Sequence, residues 1–538
     1  MNGPSTPDSS SGRLAALADR LSAGVARRFE VDYRALAAFR IAVGGLVVAD
    51  LLLRSRDLVA FYTDAGVLPR RALFADYSGA YSFHALSGEA WVQVVLFALA
   101  GGFAFALVVG YRTRTATVAS WLLLVSLHIR NPMVLNSGDT LLRMLLLWSI
   151  FLPLDERWSV AALRNGGERS DDSADAGRDR APVASVATAA LLVQVVLMYV
   201  TNAIHKFRGE AWVDGEALVY IFSADHFTIL LGNVLAEYHA LLEVASYLWL
   251  GLIVVSPLLL VLTGIPRAVL ATVFVGMHLG MLVTLRIDLF PLVVVAGLLA
   301  FYPPAVWDAV ARLAARLAPA DRDVLDALAR WASVLPSTSA RDSASALVRA
   351  PTLPRGSTVG GVASRGRAAC FALIPYVLLA LVVMSNAEAV DYTEAPDIAE
   401  SALDTVQADQ SWQMFAPYPT RSTRWFAAPA DLESGERIDA FDGSAVDLDR
   451  PERVERTYPT SRWRKYLSNV RSADNRNHRS YLGRYLCDRW NRHHDDDIES
   501  VTIHYLYEVS DPYEGTTSDG KRTLIEYECG GEFVQDPA

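Results

Sequence analysis

The chain has 538 residues, a net charge of −10 at neutral pH and a hydrophobic fraction of 52%. Its acidic balance gives no footing for a nucleic-acid partner, and it carries no P-loop, Rossmann glycine pattern, Gly-x-Ser-x-Gly elbow or His-Glu-x-x-His. Apolar runs almost free of ionisable groups fill its first part and a hydrophilic tail follows, the pattern of a polytopic membrane protein.

The polar, Pro/Ser/Gly-rich stretch Met1–Gly12 does not read as a cleavable signal peptide, so insertion is expected to begin with the first span. Arg13–Arg34 is basic and amphipathic, with Leu14, Leu17, Leu21 and Val25 near one face, as in a cytoplasmic helix lying on the membrane. Spans are then predicted at Ala35–Leu53, Ala90–Val109, Thr115–His128, Leu141–Leu154, Val183–Ile204, Leu241–Leu262, Arg267–Leu285 and Leu289–Tyr302. A polar loop to about Gly88 and the hydrophilic Asp155–Arg180 separate some of them. Ala305–Leu317 reads as interfacial, Ser333–Arg367 as a flexible linker, and Ala368–Met384 as the last span. The expectation is a helical membrane protein with about nine transmembrane helices, followed by a small β-rich soluble C-terminal domain.

The domains expected are residues 1–34, 35–304, 305–367, 368–384 and 385–538. Arginines gather at Arg13–Arg34, Arg112, Arg114, Arg267, Arg355, Arg365 and Arg367, which puts the N-terminus in the cytoplasm and the tail outside the cell membrane. Arg54, Arg56, Arg70 and Arg71 in the first long loop run against this. In the tail, the alternation Thr502–Tyr507 fits a strand, as does Thr523–Tyr527. Arg462–Tyr485 is a basic, aromatic patch read as a solvated surface or a partner site. His493 and His494 precede Asp495–Asp497, but adjacent residues share no helix face, and no metal is expected there. Cys487 and Cys529 can pair if the tail meets an oxidising exterior. Only three of the 49 basic residues are lysine, which with the acidic surface suggests a salt-adapted or high-GC source.

Ionisable groups inside spans cost roughly 2.5–3.5 kcal/mol each, so each marks a candidate site. They are Arg40, Asp50, His128, Arg130, Asp139, Arg143, His205, Lys206, His278, Arg286 and Asp288. Asp139 and Arg143 are spaced to pair along one helix. Arg130, Asn131, Asn136, Asp139 and Lys206 are expected near the outer membrane face, around one cavity; the alternative is a set of ion pairs holding the bundle together. Lys206 closes an apolar span, where desolvation suits a base; a snorkelling anchor is the alternative.

Several blocks carry a family resemblance. Arg40-Ile-Ala-Val-Gly-Gly leads to Asp50, and Asp57-Leu-Val-Ala-Phe-Tyr-Thr-Asp-Ala-Gly-Val-Leu-Pro69-Arg follows. Asn136-Ser-Gly-Asp139, Tyr199-Val-Thr-Asn-Ala-Ile-His-Lys206-Phe-Arg-Gly-Glu-Ala-Trp212-Val-Asp214-Gly and Trp412-Gln-Met-Phe-Ala-Pro417 come after. Together, over about residues 30–305 and the last block, they resemble the HTTM (horizontally transferred transmembrane) domain, related to the membrane part of vitamin K-dependent gamma-carboxylase. The resemblance implies Lys206 as the base that deprotonates a vitamin K-type hydroquinone or menaquinol, with His205 beside it. It implies Trp212 and Asp214 as the context of that base, and a peptide or small substrate; with the polar groups of the spans, the pocket is expected to draw on Arg40, Arg130, Asn131, Asn136, Asp139, Arg143, Trp212, Asp214 and His278. The family's helper histidine has no counterpart in Asn136–Asp139; His128 stands two turns away. A non-catalytic scaffold or peptide-maturation partner, whose external domain binds a protein, is the other direction the family offers.

Overall fold

The computed structural model describes residues 9–77, 81–167, 181–317 and 360–532. Two units emerge: a helical body and, after it, a small antiparallel sheet with its own helices.

The body begins with α1 (Ser9–Phe29), whose Leu21 and Val25 are exposed, as in a helix that lies on a membrane; the side chains of Leu14 and Leu17 fall outside the described residues. Asp32 caps α2 (Tyr33–Ser55), its carboxylate accepting from the Arg34 amide at 2.7 Å. Then come α3 (Ala90–Val109), α4 (Thr113–Arg130), α5 (Ser137–Ser149), α6 (Val186–Phe207), α7 (His239–Val254), α8 (Gly264–Thr284), α9 (Phe290–Leu298) and α10 (Pro304–Leu317). After the undescribed stretch, where most of the expected linker lies, comes α11 (Gly360–Ala389).

Helix α5 is buried all round from Leu141 to Trp148, apolar there but for Arg143, so it forms the axis of the body. Against it, α3 and α8 turn Trp91, Val95, Phe105, Val269 and Val273 outward. Such a continuous apolar exterior fits lipid better than water. Helices α2 and α3 approach closely at Gly44, where a Cβ would come within 2.8 Å of the Val108 side chain. That is the small-residue contact by which membrane helices pack.

Among the described residues four helices, α2, α3, α6 and α8, are long and apolar enough to cross a membrane. A fifth span is reached if α9 with its 3-10 extension and α10, bent by 107°, count as one. A helix lies near each of the expected spans, but α5 has 13 residues and reaches only about 20 Å at 1.5 Å per residue, short of a 30 Å core. The expected sixth span is likewise interrupted: α7 stops at Val254 and a short turn, Leu258–Val261, follows Pro257. The sequence count of nine is thus not reached by length and composition.

After α12 (Asp397–Val406) the tail folds as expected into β structure: β1 (Ser422–Ala427), β2 (Pro429–Leu432), β3 (Arg437–Asp439), β4 (Ile498–Asp511) and β5 (Thr516–Glu528). Long β4 pairs with β5 along one edge and with β1 and β2 in turn along the other, all antiparallel. Ile503 lies opposite Ile525, and both are buried. Between β3 and β4 lie α13 (Ser461–Val470) and α14 (His478–Asn491). A disulfide joins Cys487 of α14 to Cys529 beyond β5.

The Arg462–Tyr485 patch is not a solvated surface. Helices α13 and α14 seat the sheet unit on the body: Trp463 packs on Phe61 with ring centres 4.9 Å apart, and its indole N–H donates to Asp57. Asn469 donates to the Met133 carbonyl at 2.7 Å, and Asn477 to Asp76 at 2.7 Å.

Beneath this seat, in the first long loop, His84 is fully buried with Nδ1 2.8 Å from Ser126 Oγ. Burial, then Arg130 and Arg54, push its pKa down to about 3. A depressed folded value means that unfolding takes up a proton, so its stabilisation is complete above about pH 6.5 and is lost as pH falls. The expected result is a melting temperature that drops below pH 6.5, steepened by about 1.4 kcal/mol per unit relative to His84→Asn. Parallel pH profiles for the two proteins in detergent would refute this.

Candidate functional site

Two buried polar sites lie at the ends of helices. In the first, α2 presents Asp50 and Arg54 one turn apart, and Arg54 Nε donates to Asp50 at 2.7 Å. Arg54 also donates to the Tyr62 hydroxyl at 2.7 Å and to Asp139 at 2.5 Å, and its Nη2 lies 3.4 Å from His128 Nε2. Asp139 is held by its own helix start: the Asn136 side chain caps α5, and the Asp139 carboxylate accepts from the Asn136 amide at 2.7 Å. Into this group α13 inserts Arg462, which donates to both oxygens of Asp139, to Asp50 at 2.9 Å and to the Val134 carbonyl at 2.9 Å. Its Nε lies 3.3 Å from Asp288. Burial and Arg54 oppose the charge on Arg462, but Asp139, Asp288 and Asp50 outweigh them and hold its pKa above the ordinary value. Burial raises Asp288 against the pull of Arg462.

This arrangement corrects the expected Asp139–Arg143 pair. Guanidiniums from α2 and α13 already occupy both Asp139 oxygens, leaving Arg143 no free lone pair in reach. The ligand atoms of Asp50, His128 and Asp139 lie within 4.8 Å of one another. A cation there would have to displace the guanidiniums already bonded to both carboxylates.

The second site surrounds Lys206, 2% exposed on the last turn of α6. Its Nζ sits 3.1 Å above the centre of the Trp212 ring and donates to the Met414 carbonyl at 3.1 Å. Among the described residues it has no carboxylate within ion-pair distance. The Trp412–Pro417 segment is strapped over it. Asn202 donates to the Trp412 carbonyl at 2.8 Å, the Trp212 indole to the Phe415 carbonyl at 2.8 Å, and His205 Nε2 meets the Ser411 carbonyl at 2.9 Å. Gly209 is obligatory at the strap, since a Cβ there would lie 1.9 Å from the Pro417 oxygen.

Two turns down the same face of α6, Tyr199 meets Trp249, Phe274 and His278, with the Phe274 ring centre at 4.5 Å. His278 Nδ1 bonds the Phe274 carbonyl at 2.9 Å, while His278 Nε2 and the Tyr199 hydroxyl are buried without partners.

The expected site residues therefore divide. Lys206, His205 and Trp212 come together, and His278 lies beneath them. Asp139 and Asn136 belong to the ion-pair site. Arg40 belongs to neither: it donates to the Leu154 and Trp158 carbonyls, and ten residues separate it from Asp50 along α2, about 15 Å. Arg130 and Asn131 tie down the first loop through the Leu68 and Phe61 carbonyls. Asp214 is exposed, and its backbone alone is engaged among the described residues, the amide by the Glu210 carbonyl and the carbonyl by Tyr247. His494 stacks on Trp490 with ring centres 3.6 Å apart. Arg54, Tyr62, Tyr199 and Arg462 were not anticipated as site residues; the spacing of Asp50 and Arg54 was the available signal for one of them.

The HTTM domain family matches residues 29–307, which hold α2 through α9 and the Lys206 site. The chain is a member of the HTTM-domain family. No curated protein and no solved structure matches it. HTTM membership makes this a membrane protein of the gamma-carboxylase-related family, and the Trp412–Pro417 strap shows that its site is completed by residues beyond the matched domain.

Proposed function

We propose that this HTTM protein is a gamma-carboxylase-like membrane enzyme in which Lys206 is the base, acting on a peptide or small substrate at the outer membrane face with a lipid-soluble quinol. The observation that carries this reading is the Lys206 amine: out of water, without a carboxylate, held over Trp212 by a single carbonyl. An amine so placed is suited to taking a proton rather than to pairing or anchoring.

The residues below it suit a hydroquinone such as menaquinol. The unpartnered Tyr199 hydroxyl and His278 Nε2 would bond its oxygens, and Trp249, Phe274 and Phe290 would flank its ring. Such a group would supply a weakly acidic hydroxyl and reducing electrons. The chain's part is to hold the amine, keep water out with the Trp412–Pro417 strap, and orient the two orphan polar atoms.

An extracellular tail accords with the Cys487–Cys529 disulfide. Two of the four first-loop arginines that opposed this orientation are paired, Arg54 with Asp50 and Asp139 and Arg70 with Asp64, so these two offer less free charge to a positive-inside bias. A second reading, a non-catalytic scaffold or peptide-maturation partner, draws on the ion pairs that bind the tail to the body.

Mass spectrometry of lipids copurifying with the full chain tests the proposal. A quinone should be found, and Tyr199→Phe with His278→Leu should lower its occupancy at least about tenfold, the loss of two hydrogen bonds. Absence of quinone from the folded protein, with none taken up from added menaquinone, favours the scaffold.

A further inference from the structure

Where the sheet unit meets the loop between α6 and α7, three arginines crowd together with no acid bonded to any of them. Arg464, on the first turn of α13, lies over the Phe227 ring at 4.3 Å and donates to the Arg286 carbonyl at 2.9 Å. Arg471, at the other end of α13, lies over the Tyr505 ring at 5.2 Å. Arg424 of β1 bonds only hydroxyls, Ser422 at 2.8 Å and Thr420 at 3.1 Å. The rings form a continuous floor: Phe227 to His226, His226 to Tyr458, Tyr458 to Phe426 and Phe426 to Tyr505, with centres 4.4, 6.5, 6.3 and 5.5 Å apart.

The charges that face His226 are Arg464, Arg424 and Arg471. Burial first, then these three, hold its imidazole far below the ordinary histidine value. Burial, with Arg286 and Arg424, also pushes Arg464 down to about 10 against Tyr458 and Asp288. The carboxylates nearby are engaged by other arginines, Asp288 by Arg462 and Asp225 and Glu508 by Arg450. None of the three arginines has an ion pair among the described residues.

Like charges brought together out of water repel and lose hydration, a cost usually relieved by a carboxylate. Here, among the described residues, no carboxylate pairs with any of the three. Three nitrogens are instead left over and buried, Arg464 Nε and Arg471 Nε as donors and His226 Nδ1, with His226 itself only 3% exposed. A cavity of about 20 Å³ lies beside Tyr458 and Phe426.

We propose that Arg424, Arg464, Arg471 and His226 form a binding site for an oxyanion, a carboxylate or a phosphate, seated on this aromatic floor. Guanidinium forks match either group, and an anion would neutralise the mutual repulsion. The proposal is independent of the Lys206 reading, since it concerns binding and needs no turnover. Free oxyanions and lipid headgroups share this chemistry.

The test is calorimetric titration of the full chain in lipid-free detergent at low salt, with inorganic phosphate and with glutarate. Saturable binding of at least one is expected, weakened about tenfold or more in Arg471→Gln and in Arg464→Gln, as for loss of a charged hydrogen bond. Arg437→Gln, at the exposed residue of β3 that pairs with Asp431, should bind as the parent does. Arg471 is half-buried and bonds through no side-chain donor in this structure, so its variant keeps the test open if Arg464→Gln fails to fold. Phosphatidic acid in mixed micelles that displaces the bound anion identifies a headgroup as the source; no displacement identifies a free oxyanion. Absence of saturable binding by phosphate, glutarate and phosphatidic acid, or equal affinity in Arg471→Gln, overturns the site.

Discussion

Arg462→Met is expected to unseat the C-terminal unit. The parent guanidinium bonds Asp139, Asp50 and the Val134 carbonyl and faces Asp288; its removal leaves Arg54 as the cation bonded to Asp50 and Asp139 among the described residues and takes the fork from Asp288. Breaking a buried pair by removing one partner costs about 3–5 kcal/mol, because the remaining charge stays desolvated. Lysine should not rescue it, since a single ammonium cannot span these acceptors as the planar fork does. Adding Asp288→Asn to Arg462→Met should recover part of the loss. The readouts are thermal melting in detergent and limited proteolysis near 390–420. An unchanged melt and digestion pattern would mean that this ion-pair site does not hold the two units together.

The split between what the sequence made legible and what it hid follows the range of the interactions. Helices α2, α3, α6 and α8 lie within a few residues of the predicted spans, because local hydropathy decides them. Strands β4 and β5 were likewise visible in period-2 alternation. Lys206 and Trp412–Pro417 were each marked by the family blocks, but that the second straps the first is a contact across about two hundred residues. Arg462 was hidden altogether. It sits in a hydrophilic stretch of Arg, Trp and Tyr, and its partner Asp50 is 412 positions away. Nothing local separates an arginine that enters a bundle from one that faces water. The Asp139–Arg143 pairing failed for the same reason, since helix spacing shows which groups can meet but not which competitors arrive from elsewhere. The count of nine spans is not confirmed among the described residues; at Pro257 and at short α5 apolar composition continues after span geometry stops.

Lys206→Met should abolish turnover and leave the fold intact. Methionine keeps the length and apolar contact over Trp212, and loses one bond to the Met414 carbonyl, so melting should shift by only about 1 kcal/mol. Removal of a positioned base costs about 10²–10⁴ in rate. Lys206→Arg separates a base from an anchor: a guanidinium preserves positive charge over the Trp212 face but cannot act as a base near neutral pH. If Lys206 only anchors the strap, Lys206→Arg should be as active as the parent. If it is the base, both variants should be folded and inactive. The most direct measurement is therefore aerobic consumption of menaquinol by wild-type, Lys206→Met and Lys206→Arg proteins in the same detergent. The account predicts consumption by the wild type alone. Equal rates in all three, or none in a wild-type protein that holds quinone, would contradict it.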